Sequence, residues 1–529
     1  MKKVPLSAYW KFSLIMILIM GCSLDEEILD ESTGAELLDQ DDIALNLLAS
    51  AYGSLTGIMG CCDVFALQEV TTDEIIIPAR GLDWFDGGNW IKLHEHSWGD
   101  ELGNIAGAWA NLESRVAKAN TALLLLSNQN LDISDEELRS MKAEIRFLRA
   151  YFRTLILDMF RQVPMRDEFD ENYNIPPPVF EAQEAFDWII QELEMILPDL
   201  KDHGEISYGR VSRQAAQSLL ARLYLNSEVY TGTPQWQACL EACNTVINSG
   251  HFSLGSDYFQ LFSYDNDQQN PEAIFVIRQS LESQNNVFYS PSFTLHYNQN
   301  FGMFKFTLNG FSTTENFYYA WDQDKDPSNG VTTSDNRFQD DRIQSSTGAN
   351  LGFLVGPQFH PDGSPIEDSQ LTRATGNFVQ LDYTPEFSSL TQALQHEGVR
   401  VIKYNPDPQS SPFFIGRNDY MLIRYAEIWL MKAEAMFRLQ QPGALEHFNE
   451  LRELRGAPLI SNLNDEVFLA ERGYEFYWEG HRRTDMVRFG KFTSGIWKFK
   501  DQSDDFRNVF PIPRSALSIN ENLSQNPGY

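Results

Sequence analysis

Residues 471–491 read ERGYEFYWEGHRRTDMVRFGK. On a single helix Glu475, Glu479 and Arg483 fall four apart on one side, and Glu479 also reaches Arg482, so opposite charges meet along that side. Tyr474, Tyr477, Trp478 and His481 share a second, aromatic side at helical spacing. A segment this rich in rings and charges belongs at a junction, with its rings buried and its charges paired. The stretch is expected to be a keystone of the fold, and its carboxylates to be structural and not catalytic.

Outward from it the chain is mostly helical. Residues 41–59 mix apolar and small side chains as a first helix does, and 104–127 carries Ile105, Ala108, Leu112, Val116, Ala119 and Leu123 on one stripe. Ser134 followed by Glu137 forms a capping box that opens the next helix, and Pro164 lies beyond its end. Helices are also predicted over 181–200, 212–229, 236–249, 420–439 and 443–454. Their pairing resembles tetratricopeptide repeats, which stack into a curved solenoid. The last pair is expected to fold back onto the N-terminal helices.

Between about 264 and 417 the helical period fades and Gly, Pro, Asn, Asp and Ser become frequent. Aromatic residues are scattered through this stretch, among them Phe288, Tyr289, Phe293, Tyr297, Phe317, Tyr318, Tyr319 and Trp321. So long an irregular stretch must pack on the helices, where functional loops are displayed. Asp322, Asp324 and Asp326 alternate as at the start of a calcium loop, but the glycine and terminal glutamate of that motif are missing. They read as a polar turn. A structural calcium ion therefore has no full motif behind it, and no cofactor is expected.

The fold class is thus mainly α, a helical-repeat scaffold with a large loop-rich lobe containing short strands. Its divisions are a signal segment (1–21), a tether (22–40), a scaffold (41–263), an irregular lobe (264–417) and a closing part (418–529). All 529 residues carry a formal charge of −33. That excludes a nucleic-acid partner, which needs basic surface, and disfavours polyanionic ligands outside a local basic pocket. The 5 cysteines are too few for a disulfide scaffold. Cys61, Cys62, Cys239 and Cys243 are expected to be buried thiols, and no spacing supports a metal site.

Lys2, Lys3 and Lys11 flank an apolar run, 12–20, too short to span a bilayer but suited to a signal peptide. It ends at Gly21-Cys22, the small residue and cysteine of a lipoprotein box, so Cys22 is the expected lipidation point. Removing residues 1–21, with three lysines and no acid, takes the formal charge from −33 to −36.

The mixture most suited to a sugar lies in TTDEIIIPARGLDWFDGGNWIKLHEHSW (71–98). One face of a pyranose packs on a flat ring, while its hydroxyl edge needs carboxylate, amide and guanidinium partners. Here Trp84, Phe85, Trp90 and Trp98 stand among Arg80, Asp83, Asp86 and Asn89, with Gly81, Gly87 and Gly88 bending the chain.

The string ER-x-x-E-x-x-x-EG-x-R-x-x-D-x-x-R-x-G resembles the C-terminal signature of the SusD/RagB family. EIRFLRAYFRTLILDMFRQVPM (144–165), GRVSRQAAQSLLARLYL (209–225), NDYMLIRYAEIWLMKAEA (418–435), FNELRELRGAP (448–458) and VFPIPRSALSINENLSQNPGY (509–529) are similar to further segments of that family in order. The resemblance implies a surface lipoprotein of the outer membrane of Bacteroidota. It would face the cell exterior, be held to the membrane through its lipid anchor only, and capture oligosaccharides. By the same resemblance it would deliver them to a SusC-like TonB-dependent transporter, and the acidic run behind Cys22 would be a surface-export signal. RGLDWFDGGNW is similar to a segment that contributes glycan contacts in many members. It implies Trp84 as stacking platform, Asp83 and Arg80 as hydroxyl ligands, and Trp90 as second platform or loop support. Tyr289, Tyr319 and Trp321 are candidate contributions from the irregular lobe.

No nucleophile elbow, HExxH, P-loop or full dinucleotide fingerprint appears, so a non-catalytic binder is expected. Two alternatives stay open: a peptide-capturing adaptor of the RagB type, and a glycoside hydrolase, which would need two acids facing across a cleft.

Overall fold

Ser134 has extended backbone and its Oγ accepts the Glu137 N–H at 3.2 Å, which starts the second of two long antiparallel helices. They are α2 (Gly103–Asn128) and α3 (Asp135–Phe160), preceded by α1 (Ile43–Gly53). The computed structural model describes residues 43–128, 131–167, 175–281, 291–321, 333–410 and 416–529. The signal segment, Cys22, the tether, Tyr289 and the Asp322–Asp324–Asp326 turn lie outside the described residues. The chain divides into a unit Met1–Asn46, described only from Ile43 as the first turn of α1, and a unit Leu47–Tyr529 that holds everything below.

In the larger unit α3 packs on α2 and on α4 (Ala182–Ile196). Arg146 and Arg149 of α3 both hold Glu192 of α4, at 2.6 and 2.5 Å. A second hairpin joins α5 (Arg213–Leu225) to α6 (Trp236–Asn248), and α6 packs on α7 (Tyr425–Arg438), which pairs in turn with α8 (Ala444–Leu454). The late pair does fold back onto the early helices, and Arg222 of α5 fixes it by a 2.7 Å ion pair with Glu427 of α7. The architecture is the expected tetratricopeptide-like helical scaffold.

The irregular lobe is built from loops and short strands. β1 (Ala273–Ile277) pairs antiparallel with β5 (Tyr420–Arg424), and β2 (Gln339–Asp340), β3 (Leu351–Leu354) and β4 (Arg400–Ile402) form a three-stranded sheet in that order. Tyr420–Arg424 corrects the expected helix over 420–439. Its apolar run is buried at every position, and such a run carries no period to tell a core strand from a buried helix.

The stretch 471–491 is also not one helix. α9 (Asp465–Phe476) stops, Trp478 and Gly480 take positive φ of 60° and 82°, and α10 (Arg482–Arg488) starts in a new direction. The expected Glu479 pairings with Arg482 and Arg483 do not form. Arg482 holds Asp73 at 2.7 Å and Arg483 holds Asp158 at 3.0 Å.

The glutamates instead enter a buried ionic cluster of five acids (Glu272, Asp335, Glu471, Glu475, Glu479) and five bases (Arg337, Lys403, Arg424, Arg452, Arg455). Glu475 is the hub: it meets Arg424 at 2.7 Å, Arg455 at 2.8 Å and Arg337 at 2.9 Å. Burial alone would push its carboxyl up, but those three guanidinium groups hold it well below the usual carboxylate range. Burying ten ions is costly, and equal numbers in close contact offset the cost. The expected structural role of this stretch holds, with its charges drawn into a cluster from six segments instead of paired along one face.

Several aromatics of the lobe are core material too. Trp321, 2% exposed, packs 4.5 Å from Tyr474 and near Phe338 and Phe353. At the end of the chain, Asn526 Nδ2 donates to the carbonyls of Phe160 and Phe510 at 3.0 and 2.7 Å, and Trp98 Nε1 donates to the Tyr529 hydroxyl at 2.8 Å.

Candidate functional site

Residues 80–90 form a projecting turn. The Arg80 N–H donates to the Asp83 carbonyl at 2.9 Å and the Asp83 N–H returns to Arg80 at 3.3 Å, closing a loop through Gly81 (φ 72°). Leu82 is 96% exposed and Phe85 48% exposed at its tip. Trp84 (φ 61°) and Asp86 (φ 41°) lie in the left-handed region that non-glycine residues avoid, at a cost of about 1 kcal/mol each. A displayed turn keeps such backbone only when its side chains are fixed.

Trp84 is fixed on three sides. Its Nε1 donates to the Leu308 carbonyl at 2.7 Å. Its ring meets Phe311, Trp90 and Phe293 edge-on, with centroids 5.4, 6.0 and 6.5 Å away. Gly310 lets the indole lie this close: a Cβ there would stand 2.3 Å from Trp84 Cε2. The ring remains half-buried, so part of its surface meets solvent. Beside it the exposed carboxylate of Asp83 accepts the Tyr297 hydroxyl at 2.6 Å. Burial and that carboxylate together push the Tyr297 phenol up.

The other expected site residues fall elsewhere. Arg80 is 5% exposed; it donates to the carbonyls of Asn309 and Glu397 at 2.8 Å each, and to that of Leu394. The expected hydroxyl ligand is therefore a clasp beneath the turn, with burial lowering its basicity well below normal. Trp90 is 3% exposed, its Nε1 donating to Asp86 at 2.6 Å, so it supports the loop and offers no open face. Trp321 is corrected in the same way, sealed in the ring cluster described above. Tyr319 is half-buried and donates its hydroxyl to Glu386 at 2.6 Å, while Tyr289 lies outside the described residues. Composition cannot tell a displayed ring from a packed one, and three of these side chains went to the core.

A cleft of about 850 Å³ opens nearby, and Phe293, one of the rings against Trp84, lines it. Its walls are the turns after α1, including Thr56, Gly57, Gly60, Cys61 and Cys62, and the α2 face that carries Asn111, Ser114, Arg115 and Lys118. Cys62 is exposed and Cys61 half-buried, against the expectation of buried thiols; Cys239 and Cys243 are buried as expected. The four α2 residues recur at i, i+3, i+4 and i+7, a polar stripe that was readable beside the apolar one. Nothing local says that it faces a cleft.

Among the described residues no group of three or more His, Cys, Asp or Glu side chains is placed to hold a metal ion. His94 and His96 turn their Nε2 atoms to the carbonyls of Lys498 and Thr71 at 2.7 Å each. Burial lowers both, His94 to about 4, so they are neutral core residues. Among the described residues no helix is long and apolar enough to cross a membrane.

Residues 247–529 match the model of the SusD family, and residues 46–225 match one described as "Starch-binding associating with outer membrane". The starch-binding protein SusD of Bacteroides thetaiotaomicron is 26% identical, with 100% of both chains covered. A SusD superfamily protein from Parabacteroides distasonis has the same fold, with a TM-score of 0.71, 20% identity, and coverage of 94% of this chain and 100% of the other. Surface glycan-binding protein A from Bacteroides thetaiotaomicron, solved in complex with laminarihexaose, superposes with a TM-score of 0.65 at 16% identity, covering 92% of this chain and 99% of its own.

Proposed function

This chain belongs to the SusD family, and from that membership we propose that it is a non-catalytic surface glycan-binding protein. It captures oligosaccharide at the outer membrane and passes it to a SusC-like TonB-dependent transporter, with Cys22 as its lipid anchor. The names of the starch-binding and laminarihexaose-binding relatives support the ligand class. The observation that carries the reading is the Trp84 turn: a preset, half-open indole beside an exposed carboxylate that is already engaged by a phenol. An aromatic face for C–H groups and a polar edge for hydroxyls is what a sugar ring requires. Fixing them beforehand lowers the entropic cost of binding. Few contacts and a wet edge set the affinity at about micromolar to millimolar.

Calorimetry against a glycan panel, with assay of reducing ends, tests this. Binding without cleavage is expected. Steady release of reducing ends would replace the reading with a hydrolase, and binding of peptides alone with an adaptor. Trp84→Ala should weaken oligosaccharide binding at least about fivefold. The indole also packs on Phe311 and Gly310, so a lower melting temperature is expected with it. An unchanged affinity would remove Trp84 from the site. Cys22→Ala should move the protein from the membrane to the soluble fraction, and retention there would refute the lipid anchor.

A further inference from the structure

The cleft beside the Trp84 turn has a charge balance opposite to that of the chain. The whole sequence has 74 acids against 41 lysines and arginines. The residues lining the cleft include two cations, Arg115 and Lys118, and a single acid, Asp63. Asp63 is already committed: its Oδ2 accepts from Arg115 at 2.9 Å and from Asn111 at 3.0 Å, and its Oδ1 caps the Val64 N–H at 2.9 Å. Asp86 also projects its field toward Cys61 and Cys62, but its carboxylate takes the Trp90 N–H.

Lys118 is exposed on this wall, with no hydrogen bond or ion pair to any described residue. Three residues earlier Arg115 is 7% exposed, and it donates Nε to the Ser54 carbonyl at 2.8 Å while its Nη1 has no acceptor. Arg115 is answered by Asp63, so the charge this wall leaves without a counter-ion among the described residues is Lys118. Ser114, one residue before Arg115 and one helical turn before Lys118, is exposed on the same wall. With Arg115 paired to Asp63, Lys118 leaves the lining one positive charge in excess, and low-dielectric walls concentrate its field in the cleft.

We infer that the cleft selects an acidic oligosaccharide, with Lys118 pairing a carboxylate or sulfate of one sugar while a neighbouring sugar stacks at Trp84. This rests on the glycan-binding reading and adds its substrate class. Lysine fits the part, as a mobile point charge that can follow an anionic group through several orientations. The −33 charge of the chain works in the same direction: it repels polyanions everywhere else, so an acidic glycan is retained only where the local field reverses.

The test is titration of the purified protein with an oligogalacturonate, its carboxyl-reduced counterpart, a sulfated oligosaccharide and a neutral glucan. At low salt the preferred acidic ligand should bind at least about tenfold tighter than its neutral counterpart, and the margin should shrink as salt is raised. Preference for the carboxylate or for the sulfate arm identifies the group. Lys118→Gln should bring the acidic ligand to within about twofold of the neutral one. Ser114→Asp should do the same by adding a negative charge to this wall; both positions are exposed, so the fold is kept. Equal binding of acidic and neutral glycans, or no effect of Lys118→Gln, overturns the inference and leaves the glycan-binding reading standing. Failure of every glycan to bind overturns both.

Discussion

Glu475→Gln is expected to destabilise the protein by about 3–5 kcal/mol, the penalty for leaving buried charges without their counter-ion. The substitution keeps the shape of the side chain and removes one charge. Three guanidinium groups, those of Arg337, Arg424 and Arg455, then share a buried site with one carboxylate fewer. Arg455 and Arg424 still hold Glu272, at 2.9 Å each, so the cluster is weakened and not emptied. The denaturant midpoint of the first unfolding transition reads the loss. The exposed Lys491–Glu466 pair, at 3.4 Å, is the control: Glu466→Gln should change stability by less than about 1 kcal/mol. Equal effects from the two substitutions would show that the cluster does not organise the fold.

The second large effect concerns pH. Glu69 and Glu74 lie side by side in the core beneath the break after α9. Glu69 accepts the N–H groups of Gly480 and His481, and Glu74 accepts that of Trp478 at 3.2 Å. Two adjacent buried carboxyls cannot both ionise cheaply. Burial, with Asp73 adding to it, pushes Glu74 up to about 7 against the pull of Arg482, and burial together with Glu74 raises Glu69 as well. The native protein therefore keeps a proton that the unfolded chain has lost by pH 7. The stabilisation is complete below the ordinary carboxylate value of 4.5, and the share held by Glu74 is lost as pH rises through about 7.

Glu69→Gln supplies an amide N–H in place of that proton. The variant should be more stable than the parent at pH 8 by on the order of 2 kcal/mol, and the gap should close near pH 5. Buried His94 and His296 and half-buried His447 and His481, all lowered to about 4, act in the opposite sense under acid in both proteins. The difference between the two stability curves cancels them. A gap that is independent of pH would show that the two carboxyls share no proton.

The scaffold was legible because its helices carry a 3.6-residue period and explicit start signals. Ser134 with Glu137, and the apolar stripe from Ile105 to Leu123, need no tertiary information. The break at 477–481 was not legible. Spacing along 471–491 satisfied its charges within one helix, whereas burial lets Arg337, Arg424 and Arg455 compete for the same glutamates from distant segments. The site was half legible for a related reason. Sequence located the turn with Asp83 and Trp84, but whether Arg80, Trp90 or Trp321 faces solvent is decided by what packs over each. Tyr297 and Lys118 join the site through folding alone, the first from 214 residues beyond Asp83.

The same ion cluster sets a timetable for the newborn chain. Arg337 precedes Glu471 and Glu475 by 134 and 138 residues, and Glu272 precedes Arg455 by 183. A polypeptide appearing from its N-terminus carries Glu272 without either of its arginines until residue 424 has followed, and leaves Arg337, Arg424 and Arg455 without their shared carboxylate until residue 475 has followed. Until then a locked interior has no electrical closure, and the thread stays pliable. The step that commits the molecule to its final shape is accordingly among the last.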